Sequence, residues 1–140
     1  MPGKLIGVGV GPGDSELLTL RAIRFVQTAP VLAYTIDKNG NSFARQTVSA
    51  YIQKDQKELA LFFSMSPDRE MRKQSRHEAA RQVLAVLEEN NDVVFITEGD
   101  PLIYSTFQHL LAELPNEIIV ETCPGISAMS AAASAAIFPL

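Results

Sequence analysis

The sequence predicts an α/β fold: a mostly parallel sheet with helices on both faces. Three observations lead there. Strand-length apolar runs alternate with helical patterns along the whole chain, joined by loops of a few residues, and that alternation builds parallel sheets. The run Val93-Val94-Phe95-Ile96 is apolar at every position, as a strand buried on both faces must be. Three glycine-containing turns each follow a predicted strand directly, where open α/β sheets bind their ligands.

Each element has its own signal. Lys4–Val10 is a strand by its apolar residues Leu5, Ile6, Val8 and Val10, and it runs into glycines at 7, 9, 11 and 13. A helix is expected over 16–28, with Leu17, Leu20, Arg21, Arg24 and Phe25 alternating core and solvent. Pro30 closes it, and Val31–Tyr34 reads as a second strand. Lys38-Asn39-Gly40-Asn41 is a loop. Residues 43–52 suggest a helix and 58–63 a third strand. Ser66-Pro67-Asp68 resembles a helix start, with Ser66 as cap and Pro67 at the first helical position. That helix runs to about Asn90, with Met71, Ala79, Ala80, Val83, Leu84 and Leu87 on one face. The strand 92–97 follows, then a helix over 104–114, a strand over 117–122 and a small-residue helix over 127–136. The alanines of 131–136 suggest close packing against a neighbour.

The totals narrow the function classes. The chain's 140 residues fit one domain, and a hydrophobic fraction of 46% can fill its core. Its net charge of −4, with scattered Lys and Arg, argues against a nucleic-acid partner. A single cysteine, Cys123, leaves no internal disulfide and no cysteine-based zinc site. No segment approaches the about 20 apolar residues of a membrane span, and the short run after Lys4 does not make a signal peptide. The expectation is a cytoplasmic protein with no membrane association. His77 and His109 lie in helices as surface or packing residues, and no metal site is expected. No Ser/His/Asp constellation is recognisable, so no catalytic side chain is nominated.

The turn Gly9–Asp14 (GVGPGD) invites a phosphate-loop reading, and its details oppose one. G-x-G-x-x-G fails in both registers: the third glycine position falls on Pro12 or on Asp14. Pro12 has no N–H to donate. Asp14 puts a carboxylate where a second anion would be repelled. A cationic or neutral ligand head suits this turn better, and a plain strand-to-helix turn capped by Asp14 or Ser15 suits it as well. The turn Glu98-Gly99-Asp100-Pro101 offers a fixed carboxylate that could hold an amine, a hydroxyl or a cation, or could cap the following helix. Tyr104-Ser105-Thr106 adds hydroxyls, again with capping as the plain alternative. Cys123-Pro124-Gly125-Ile126-Ser127-Ala128 is the third strand-to-helix turn. All three should share one rim of the sheet.

As a set, GVGPGD (9–14), GDP (99–101) and PGISA (124–128) resemble the tetrapyrrole methylase family, in the right order and at the right intervals across essentially the whole chain. Segments 33–44, 64–73 and 99–107 are similar to the branch that methylates carbon 20 of precorrin-2 or cobalt-factor II in cobalamin synthesis. Uroporphyrinogen III methyltransferases carry an Asp after the second-strand tyrosine, whereas Thr35 follows Tyr34 here. The resemblance implies S-adenosylmethionine as cofactor, a small-molecule tetrapyrrole substrate and a homodimer. By motif match, Val10, Pro12, Gly99, Asp100, Pro101, Ile103, Thr106, Ser127 and Ala128 would line the cofactor pocket, with Asp100 as its polar anchor. Gly11, Gly13 and Asp14 would face the substrate. Lys38, Arg45, Arg21 and Arg24 are candidates to meet substrate carboxylates. Family members have two α/β domains, so residues 1–125 are expected to form the N-terminal one and 126–140 to begin the link to a second domain absent from this chain. Two further readings stand beside this one: a non-catalytic dimerising α/β module, and a nucleotide-binding domain.

Overall fold

Strands Leu5–Gly9 (β1), Val31–Ile36 (β2), Lys57–Phe62 (β3), Val93–Thr97 (β4) and Val120–Cys123 (β5) form one sheet in the order β3-β2-β4-β1-β5. Every neighbouring pair is parallel. Helices Leu20–Thr28 (α1), Phe43–Val48 (α2), Arg69–Glu88 (α3), Thr106–Glu113 (α4) and Ala128–Ala136 (α5) follow the strands one for one. This computed structural model describes residues 2–140.

Side-chain alternation along the strands feeds two cores. Leu5, Val31, Ala33, Leu61, Val93 and Phe95 face α3 and α4, packing on Ala79, Ala80, Val83, Leu87, Phe107 and Leu110. Ile6, Val8, Leu32, Tyr34, Val94 and Ile96 face α1 and α2, packing on Ala22, Val26, Ala44 and Val48. The apolar run in β4 is therefore the central strand expected of it. Gly7 has a packing role: a Cβ there would lie 2.6 Å from the Phe107 ring. Phe107 fills that space and meets Phe95 at 5.7 Å between ring centroids.

Several boundaries differ from the sequence expectation, each for a local reason. The helix expected over 16–28 is two pieces. Ser15–Leu17 is a 3-10 turn capped by Asp14, Leu18 is extended, and Thr19 starts α1 by accepting from the Ala22 N–H at 3.0 Å. The break resets the helical phase, so Ala22 and Val26 are buried while Leu20 is 86% exposed. Asp68 rather than Ser66 caps α3, accepting from the Glu70 N–H, because the Ser66 hydroxyl is taken by the Asp68 N–H. Met71, expected on the buried face, is 52% exposed. α2 ends at Val48 and continues only as a 3-10 turn over Ser49–Tyr51. β2 extends two residues further than expected, because Thr35 and Ile36 pair with Leu61 and Phe62. β5 starts late because an Ile118 N–H to Pro115 carbonyl bond holds 115–118 in a turn. α5 has no fully buried residue within this chain, with Ala131 and Ala133 only half-buried, so the close packing expected from its alanines is not made here.

The topology also locates a crevice. The chain leaves β2 for β3 at one edge and leaves β4 for β5 at the other. Open α/β sheets leave a cleft where adjacent strands send their connections opposite ways, which here is between β2 and β4.

Candidate functional site

Backbone contact between the three glycine turns builds the site. The Val10 N–H donates to the Thr97 carbonyl at 2.9 Å, carrying β1 and β4 one residue beyond the sheet. Gly11 and Gly99 then exchange two backbone hydrogen bonds, 2.8 and 3.3 Å, as an antiparallel bridge. Both have positive φ, 78° and 66°, a region open to glycine without steric cost. A Cβ on Gly125 would lie 2.2 Å from the Gly99 oxygen and 2.8 Å from the Gly9 Cα. These glycines let three backbones touch, which is a different use from cradling phosphate.

Asp100 fastens the third turn to the second. Its Oδ2 accepts from the Gly125 N–H at 3.1 Å and its Oδ1 from the Leu102 N–H at 2.9 Å. The capping role considered for it belongs to Ser105, whose Oγ accepts from the Phe107 N–H at 3.1 Å and meets Thr97 Oγ1 at 2.9 Å.

Most of the expected cofactor residues converge. Pro12, Gly99, Asp100, Ile103, Ser127 and Ala128 line one cavity of about 260 Å³, completed by Glu98, Tyr104 and Met129. Two carboxylates and no Lys or Arg line it, a donor set that suits a cationic ligand with hydroxyls and repels phosphate. Three expected residues stand apart. Val10 is fully buried in the α1–α2 core, Pro101 is buried beneath the turn, and Thr106 lines a separate cavity beyond Tyr104. Val10, at the end of β1, and Pro101, within its turn, are thus buried supports of the rim rather than cavity lining.

Gly13 lines a second cavity of about 350 Å³ together with Phe43, Gln46 and Thr47 of α2. It lies at the crevice between β2 and β4, and it shares Pro12 and Glu98 with the first cavity. Gly11 is buried in its bridge. Asp14 caps the 3-10 turn, accepting from the Glu16 N–H at 2.9 Å.

Sequence reasoning named Glu98 and Tyr104 within their turns without assigning them to the cofactor pocket, and it missed Met129. Glu98 stands beside the recognised GDP turn and could have been found from it. Tyr104 has φ +49° and is 95% exposed, an uncommon conformation for a bulky side chain. No periodicity signals such a residue.

The basic candidates divide. Arg45 is committed to Glu58, with bonds of 2.5 and 3.2 Å, and lies 5.9 Å from the Tyr34 ring centre. Its hydrogen bond holds the Glu58 carboxyl below its ordinary range, opposed by burial and aided by the Tyr34 hydroxyl. Arg21 and Arg24 are exposed on α1. Lys38 lines a cavity of about 450 Å³ bounded by residues 62–66. His77 pairs with Glu113 at 2.6 Å. Burial pushes the Cys123 thiol up from its ordinary value. Among the described residues no group of three or more His, Cys, Asp or Glu is placed to hold a metal ion, and no helix is long and apolar enough to cross a membrane.

Comparison with known proteins adds to this geometry. The family model for tetrapyrrole (corrin/porphyrin) methylases matches residues 4–140. The chain is 36% identical over 146 residues to a precorrin-2 C(20)-methyltransferase of Sinorhizobium, covering 99% of this chain and 60% of that protein. It is 33% identical over 141 residues to a cobalt-precorrin-2 C(20)-methyltransferase of Salmonella typhimurium, covering 100% and 60% respectively. Among solved structures, a uroporphyrin-III C-methyltransferase from Thermus thermophilus, complexed with S-adenosylhomocysteine, superposes with a TM-score of 0.67 at 26% identity. That match covers 94% of this chain and 48% of the other. The chain thus spans about 60% of the length of the curated relatives it matches.

Proposed function

Since the chain belongs to the tetrapyrrole methylase family, we propose that it serves an S-adenosylmethionine-dependent C-methyltransferase acting on carbon 20 of a reduced tetrapyrrole, precorrin-2 or cobalt-factor II, in cobalamin biosynthesis. The observation that carries this reading is the convergence of the three family turns on one acidic, phosphate-averse cavity. Similarity extends to both a precorrin-2 and a cobalt-precorrin-2 C(20)-methyltransferase.

The residues fit the cofactor by chemistry. Glu98 and Asp100 offer carboxylates to a cation and its hydroxyls, Ile103, Met129 and Pro12 supply apolar walls, and Ser127 adds a hydroxyl. S-adenosylmethionine brings a methyl group already activated on a sulfonium, so the protein's work is positioning. Orientation of that kind can supply roughly 7–11 kcal/mol, with no nucleophilic side chain required. The cavity beside Gly13 and α2 shares the Pro12–Glu98 wall, which would set substrate carbon and methyl donor on either side of it.

In the same reading, residues 1–125 form the N-terminal α/β domain and 126–140 begin the link to a second domain. α5 supports this, since it has no fully buried residue here. The working form is a cytoplasmic homodimer. A non-catalytic dimerising module is the second reading, favoured by the uncovered Ile137, Phe138 and Leu140. A nucleotide-binding role is disfavoured by the missing cations of the cavity.

Calorimetric titration with S-adenosylhomocysteine tests the proposal. Binding is expected, and it should weaken at least about tenfold in Glu98→Gln, which disturbs no backbone bond. A wild-type chain that binds none, yet dimerises, would overturn the cofactor reading in favour of the module.

A further inference from the structure

Beyond Tyr104 lies a cavity of about 590 Å³, formed where the segment after β3 meets the first two turns of α3 and the first turn of α4. Its charged lining is entirely basic, Arg72 and Arg76, with His109 beside them and no carboxylate among the lining residues. This is unusual for a chain with 16 acidic and 12 basic residues. Lys4, Arg45 and Arg81 each have a carboxylate partner, whereas the other Lys and Arg side chains, on the open surface as well as in this cavity, have none among the described residues.

Among the described residues Arg72 and Arg76 have none. Arg72 donates instead to the Ser66 and Pro67 carbonyls, at 2.9 and 2.8 Å. Arg76 stands 3.5 Å from His109 Nε2, one cationic group facing a group that could become another. Burial, then Arg76 itself, lowers the His109 pKa, so at neutral pH the ring is uncharged and Arg76 donates to it. A half-buried arginine turned toward an exposed imidazole is a guanidinium without an anion. The Thr106 hydroxyl and the wall of Tyr104, shared with the cavity that holds Asp100, complete a concave site able to accept a carboxylate by charge-assisted bonds.

We propose that this cavity, through Arg76 and His109 with Arg72 behind them, is the docking site for a carboxylate side arm of the acidic substrate. It rests on the tetrapyrrole reading above, and it assigns the carboxylate contact to residues other than Arg45, which Glu58 occupies. Tyr104 then separates two sites of opposite character, one acidic for a cationic cofactor and one basic for an anionic arm. A strained, exposed aromatic at that boundary is placed to contact both ligands.

The probe is uroporphyrin, a porphyrin bearing carboxylates on all its side arms, followed by fluorescence on titration with the 140-residue chain. Wild type should bind it, more weakly as salt is raised. Arg76→Gln should weaken binding at least about tenfold and His109→Gln by several-fold, while S-adenosylhomocysteine titrates as in wild type. Lys73→Gln, an exposed lysine on the same helix outside the cavity, should bind as wild type. Equal binding by wild type and both cavity variants would overturn the assignment, as would equal loss in Lys73→Gln or no binding by wild type. Inorganic pyrophosphate is the competitor: displacement at the porphyrin's own concentration would make this a general anion site and also overturn it. A loss of cofactor-analogue binding alone would instead tell against the methyltransferase reading.

Discussion

Asp100 carries two loads. Its carboxylate lines the cavity, yet both oxygens already accept backbone N–H groups, one of them from the neighbouring Gly125 turn. Asp100→Ala leaves the part-buried Gly125 N–H without its acceptor, and should cost about 1–2 kcal/mol of stability in urea denaturation, with Asp100→Asn costing less because one carbonyl acceptor remains. An unchanged denaturation midpoint in the alanine variant would show that the clamp contributes nothing. Tyr104 poses the opposite case. Held at φ +49° while 95% exposed, it gains no packing for its strain. Tyr104→Asn, which tolerates that conformation, should stabilise the fold by up to about 1 kcal/mol while weakening ligand binding at the cavities it borders. A variant that loses both stability and binding would mean that the tyrosine is structural.

At the scale of elements, side-chain bonds decide where helices start and how strands are braced. Thr19 and Asp68 win over the earlier positions that the periodicity suggested, since a cap is a matter of which oxygen reaches which free N–H. β2, β3 and α2 are tied by the Tyr34–Glu58–Arg45 cluster. Because Arg45 holds the folded Glu58 carboxyl below its ordinary value of 4.5, the folded state keeps that proton less readily than the unfolded chain. The stabilisation is therefore complete above about pH 4.5 and is lost as pH falls toward the folded-state value. Urea midpoints compared for wild type and Glu58→Gln should differ most near pH 7 and converge in acid. A gap that stays constant down to about pH 3 would rule out this linkage.

At the scale of the whole molecule, stability is uneven. β1 and β4 are buried on both faces, whereas α5 has no fully buried residue and β5 leaves Val120 and its neighbour Ile119 exposed at the sheet edge. A nine-residue helix with no fully buried residue is marginal in water, so amide hydrogens of 128–136 should exchange several orders of magnitude faster than those of β1 and β4. Slow exchange there would mean that another surface, such as a second copy, covers the helix. The same openness leads us to expect that the 140-residue chain binds the cofactor analogue without transferring methyl groups. Methyl transfer to a reduced tetrapyrrole by this chain would refute that.

The sequence by itself determined the order of strands and helices, the parallel sheet and the three turns that mark the family. Apolar periodicity, glycine and proline placement and short motifs are local properties that survive without the fold. Only the tertiary structure decided that Gly7 makes room for Phe107, that Gly9, Gly99 and Gly125 touch one another, that Asp100 clamps two turns, and that Arg72, Arg76 and His109 meet around one cavity. Those relations join residues up to 116 positions apart, from Gly9 to Gly125. Close approach and charge depend on separation in space, which the crossovers of the sheet set and no local pattern encodes.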